Sequence, residues 1–173
     1  MTLVLLGLPG VGKTTVGAGV ADRLGWPFLD FDQEIERREG MSVREIFERR
    51  GEAHFRSLES SLTHEMVGRR EMVLAPGGGW VTQPVLVDLL RPIARLVYLR
   101  ADPATVAGRL DAGRASRPLL REGNLLERLE QLLAAREGAY TLADHVIDTE
   151  LLDPEQVIDM VVALATLGVH DLG

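Results

Sequence analysis

The chain has 173 residues and a mass of 19.0 kDa, which suits one domain, and at 46% hydrophobic and 26% charged it can build a core. Nineteen cationic against 26 acidic residues leave a net charge of −7, which excludes a general attraction to nucleic acid or acidic membranes. Without cysteine, disulfide scaffolds, cysteine–zinc sites and thiol catalysis are excluded as well.

Thr2–Leu6 is a β-rich apolar run that ends at Gly7. Lys13 to Leu24 repeats apolar and small residues at helical spacing until Gly25. Trp26–Phe31 predicts a second strand, and helical pattern resumes from about Gln33 to Glu39. Ser42 and Glu45 form a capping box before a short helix, and Glu52 to Val67 predicts a longer one. Met72–Ala75 is a third strand, followed by Pro76 and three glycines; Pro84–Leu90 is helical and Ala94–Leu99 is a fourth strand. Asp102-Pro103 starts a helix to about Leu110, and the Gly- and Arg-rich stretch 111–123 predicts an exposed loop. Asn124–Tyr140 is helical, His145–Asp148 is a fifth strand, and Asp153-Pro154-Glu155 opens a last helix. Alternation of this kind predicts a single α/β domain with a mostly parallel sheet covered on both faces. No segment approaches the roughly 20 apolar residues of a membrane span, and the apolar start lacks a basic n-region. A cytoplasmic protein is the expectation.

Gly7-Leu8-Pro9-Gly10-Val11-Gly12-Lys13-Thr14 satisfies the phosphate-loop pattern between a predicted strand and a predicted helix. Its backbone N–H groups at Gly10, Val11, Gly12, Lys13, Thr14 and Thr15 and the helix N-terminus are suited to a nucleoside triphosphate. Lys13 reaches the β- and γ-phosphates in that reading, and Thr14 offers its hydroxyl to Mg²⁺. Asp30 and Asp32 flank Phe31 at the end of the second predicted strand, which puts both carboxylates on one face of an extended segment. Beside a triphosphate they suit holding hydrated Mg²⁺ and accepting a substrate proton; the plainer alternative is that Asp32 caps the next helix.

Arg56 has Glu52 at i−4 and Glu59 at i+3, the spacing of a surface ion pair and equally of an arginine fixed to grip a carboxylate. The residues leave that open. Gly77-Gly78-Gly79 can point N–H groups at a ligand or serve as a loose linker. Arg117 suits a lid over the triphosphate or a solvated loop, and Arg136 suits a site or the negative end of its helix. Trp80 reads as a packing residue. The four histidines have no metal-ligand spacing.

Taken in order, Gly7–Thr14, Asp30-x-Asp32, Gly51-Glu52-x-x-Phe55-Arg56-x-x-Glu59, Gly77–Gly79, Arg117-Pro118-Leu119-Leu120 and Arg136 before Tyr140 resemble the shikimate kinase family, from Leu3 to about Leu164. The resemblance implies a P-loop fold of the nucleoside-monophosphate-kinase type, three layers with strand order 2-3-1-4-5 and a mobile lid at about 111–123. It implies a substrate-binding helical region at about 33–60 and ATP-dependent phosphorylation of the shikimate 3-hydroxyl with Mg²⁺. Lys13, Asp32 and Arg117 would be catalytic, with Asp32 the proton acceptor, and Thr14 and Asp30 would lie at the metal. Arg56 and Arg136 would hold the substrate carboxylate, Gly77, Gly78 and Gly79 its ring, and Arg109 would cover the adenine. A monomer is expected, without nucleic-acid or membrane partners. Pro76 departs from the family, which often has a small residue there. A kinase for another hydroxylated acid, such as gluconate, and a non-catalytic ligand-sensing module share the fold.

Overall fold

The computed structural model describes residues 1–112 and 124–167. Five parallel strands, β1 (Thr2–Leu6), β2 (Phe28–Asp30), β3 (Val73–Ala75), β4 (Ala94–Arg100) and β5 (His145–Asp148), form one sheet in the order β2-β3-β1-β4-β5. Helices α1 (Lys13–Leu24), α2 (Phe31–Glu39), α3 (Val43–Arg50), α4 (Glu52–Met66), α5 (Pro84–Leu90), α6 (Pro103–Ala112), α7 (Leu125–Tyr140) and α8 (Pro154–Leu167) flank it. All of β1 and β3 is buried, as expected of central strands with both faces covered, and this explains their unbroken apolar runs. β1 pairs with β3 on one edge and β4 on the other, so Gly7 and Pro76 leave the sheet side by side at its carboxyl end. That end of an open parallel sheet is its ligand crevice.

The boundaries shift where polar side chains cap helices. β2 stops at Asp30, and α2 starts at Phe31, because the Asp30 carboxylate accepts the Gln33 N–H at 3.0 Å. Phe31 is therefore the buried first residue of a helix, and Asp30 and Asp32 do not share an extended face. Ser42 accepts the Glu45 N–H at 3.1 Å, but the returning Glu45 carboxylate meets the Ser42 hydroxyl; the Val43 N–H is taken by Glu36 at 2.9 Å. Asp153 and Gln156 exchange both bonds of a capping box at 2.9 Å. The region expected at 33–60 is three helices that together run from Phe31 to Met66. Helix α6 continues to Ala112, two residues into the expected loop; the rest of the expected lid, with Arg117, lies outside the described residues. A 3₁₀ turn at Trp80–Thr82 is too short to leave a periodicity in the sequence. Among the described residues no helix is long and apolar enough to cross a membrane.

Candidate functional site

A cavity of about 460 Å³ opens at the carboxyl end of the sheet, lined by Gly10, Lys13, Thr14, Asp30, Asp32 and Gly77 among others. Its floor is the phosphate loop. Gly12, with φ 106°, is the left-handed N-cap of α1, and Gly10, with φ 85°, lies so close to Leu110 of α6 that a Cβ would sit 2.7 Å from its Cδ1. Lys13 folds back, donating from Nζ to the carbonyls of Gly7 at 2.6 Å and Leu8 at 3.0 Å. Burial pulls its ammonium down to about 8, opposed by the Asp32 and Asp30 carboxylates.

The acid pair divides by environment. Asp30 accepts from the Thr14 hydroxyl at 2.7 Å with one oxygen and caps α2 with the other, so capping falls to Asp30 and not to Asp32. Asp32, in the first turn of α2, has its Oδ1 buried without a hydrogen-bond partner. Burial raises its carboxyl to about 6, with help from the Asp30 and Glu59 charges and against Lys13. Thr14 and Asp30 supply hard oxygen donors in contact, and among the described residues no group of three His, Asp or Glu could hold a metal unaided. That donor set fits a Mg²⁺ ion whose remaining ligands are phosphates and water.

Beyond the glycine loop, Arg56 is held from behind. Glu59 is fully buried in α4, and its Oε1 accepts from Arg56 at 2.5 Å and from Gln83 at 3.0 Å, while Oε2 has no partner. Burial pushes the Glu59 carboxyl up, against the pull of Arg56. The Glu52 pair is looser, at 3.4 Å. Trp80 is fully buried and donates to Thr63 at 3.0 Å, which in turn donates to the Glu59 carbonyl at 2.7 Å, so it packs behind the site. Gln83 has no motif to mark it; its one signal is a polar residue between the apolar Val81 and the Pro84 helix start.

The three glycines touch three functional groups in turn. A Cβ on Gly77 would lie 2.7 Å from Asp32 Oδ1, on Gly78 2.5 Å from Arg136 Nη1, and on Gly79 2.5 Å from Arg56 Nη2. The loop is therefore a close-packed seam and not a slack linker. Tyr140, one turn beyond Arg136 in α7, is buried with its hydroxyl 3.1 Å from the Gly7 carbonyl and 3.2 Å from that of Gly78. Arg109 lines this cavity as well; it donates to the Thr149 carbonyl at 2.9 Å and also borders a second, smaller cavity of about 170 Å³ with Gly12, Thr15 and Pro154. The structure thus gathers Lys13, Thr14, Asp30, Asp32, Gly77, Gly78 and Arg109 around one space, with Arg136 against Gly78 and Arg56 against Gly79 adjoining it along the glycine loop. Chemically, an anion-binding loop faces a raised carboxyl and a pair of guanidinium groups, which suits phosphoryl transfer to a hydroxylated acid.

The shikimate kinase family model matches residues 9–166 of the chain. A shikimate kinase from Pelotomaculum thermopropionicum is 39% identical over 160 residues, covering 92% of each chain. One from Geobacter sulfurreducens is 43% identical over 164 residues, covering 95% of this chain and 88% of that one. The solved structure of shikimate kinase from Acinetobacter baumannii in complex with shikimate aligns with a TM-score of 0.86 at 34% identity, covering 99% of this chain and 95% of that one.

Proposed function

The chain belongs to the shikimate kinase family, and on that premise we propose that it transfers the γ-phosphoryl group of ATP to the 3-hydroxyl of shikimate, in the route to chorismate and the aromatic amino acids. One observation carries the reading on this chain: Asp32 lines the same cavity as Lys13, and its Oδ1 is buried without a hydrogen-bond partner. A buried carboxylate oxygen without a donor is costly unless a ligand supplies one. A substrate hydroxyl is such a donor.

In this mechanism the loop from Gly10 to Thr15 holds the triphosphate, and Lys13 leaves the Gly7 and Leu8 carbonyls to sit between the β- and γ-phosphates. Thr14 and Asp30 would hold Mg²⁺, which supplies charge neutralisation on the phosphate oxygens when bound. Arg56 and Arg136 grip the shikimate carboxylate, with Glu59 and Gln83 fixing Arg56, and the Gly77–Gly79 backbone lies against the ring. The 3-hydroxyl oxygen attacks the γ-phosphorus, its proton passes to Asp32, and the bond to the β–γ bridging oxygen breaks to leave ADP. Arg117 arrives over the transferring phosphoryl, and Arg109 lies against the adenine. ADP release coupled to a spectroscopic readout tests the proposal: turnover should saturate with shikimate and require Mg²⁺. Folded protein that shows no shikimate-stimulated turnover at millimolar ATP overturns it.

A further inference from the structure

We propose that Tyr140 is a positioning residue through which the nucleotide loop and the glycine loop sense each other, a reading that rests on the phosphoryl transfer proposed above. Its ring stacks on Tyr98 with centroids 4.8 Å apart, and the hydroxyl sits within hydrogen-bond reach of both the Gly7 and Gly78 carbonyls. A phenol has one proton, so it donates fully to only one of two carbonyls at a time. Arg136, one turn earlier on α7, acts on the phenol as a cation without acceptor capacity, which leaves the proton to the carbonyls.

Counting donors gives the resting arrangement. Gly7 already receives Lys13 Nζ at 2.6 Å, whereas among the described residues the Gly78 carbonyl has no donor but Tyr140. The proton of Tyr140 therefore belongs to Gly78 while the loop is empty. A triphosphate competes for the Lys13 ammonium, and a phosphate oxygen is the stronger partner. The Gly7 carbonyl, buried and stripped of Lys13, then recruits the Tyr140 proton, because an unpaired buried carbonyl is unfavourable. Gly78, which lines the cavity, is released to accept a hydrogen bond from a hydroxyl of the second substrate. Nucleotide binding in this way tightens shikimate binding, and by linkage shikimate tightens nucleotide binding by the same factor.

The test is calorimetric titration of shikimate with and without a non-hydrolysable ATP analogue and Mg²⁺. The unaltered protein should bind shikimate about fivefold or more tightly with the analogue present. Tyr140→Phe keeps the stacked ring and loses the proton, and its ratio should fall below about twofold. A merely structural role would lower the melting temperature and leave that ratio in place. Retention of the ratio in Tyr140→Phe, or a ratio of one in the unaltered protein, overturns the inference and leaves the proposed function standing. Failure of the unaltered protein to bind shikimate at all overturns both. Should Tyr140→Phe not fold, the chain has only two tyrosines, so ¹³Cζ-tyrosine NMR of the unaltered protein, assigned with Tyr98→Phe, reads the same event. The Tyr140 signal should move on adding analogue before any shikimate, and a stationary signal overturns the inference.

Discussion

Asp32 and Lys13 titrate toward each other, one raised to about 6 and the other lowered to about 8, so the pair is in working form between those values. The expected kcat/KM profile rises as pH passes about 6, falls beyond about 8, and loses its acid limb in Asp32→Asn along with about 10²-fold or more of kcat. Stability moves the other way. The folded carboxyl of Asp32 lies above its unfolded value of 3.8, so its contribution is present below about pH 4 and is lost as pH rises through about 6. Asp32→Asn should therefore melt higher than the unaltered protein at pH 7, by up to a few kcal/mol, with the gain gone at pH 4; thermal scans at the two pH values check the sign. Residue identities in the phosphate loop were readable from sequence because loop chemistry depends on glycine and lysine at fixed spacing. The division of labour between Asp30 and Asp32 was not, since it turns on which carboxylate caps α2. Nor was the burial of Glu59, which follows from Trp80 and Gln83 arriving from another segment.

Among the elements, an added methyl acts on ligand binding in the glycine seam and on stability in the helices. Gly78→Ala would push the Arg136 guanidinium, the movable end of a long side chain, so the fold should persist while KM for shikimate rises about tenfold. Steady-state kinetics with a melting curve separate the two effects. Within helices the outcome depends on space. Gly138 in α7 has nothing within 4 Å of the point where a methyl would sit, so Gly138→Ala should stabilise by about 0.5–1 kcal/mol. Gly17 in α1 has the Phe28 ring where its Cβ would go, and Gly17→Ala should destabilise by about 1–2 kcal/mol despite its better helix propensity. Urea titration of both variants checks the contrast. Helix existence was legible because caps and periodicity are local, as Asn124 shows by accepting the Glu127 N–H at 3.3 Å before α7. The close approach of Gly17 to Phe28 was not, because it is set by how α1 lies on β2.

Over the whole molecule, eighteen of the nineteen cationic residues are arginine, and Lys13 is the single lysine. An acidic shell with one compact ammonium gives a chemical prediction: an amine-directed reagent that silences the protein acts at Lys13 or at the N-terminus. ATP should protect Lys13, and peptide mapping after labelling with and without ATP identifies the site. The strand order was carried by family resemblance, since periodicity names strands without ordering them. Its observed form bears on how the chain is made. β1 emerges from the ribosome before both of its neighbours, β3 and β4, which are supplied by residues 73–75 and 94–100. Until Arg100 has cleared the exit tunnel, the loop at Gly7–Thr14 hangs from a strand with an open edge, which invites mispairing with other chains. Nascent chains in which β4 is still inside the tunnel should thus gain no protease resistance from ATP, and those in which β5 has cleared it should gain it.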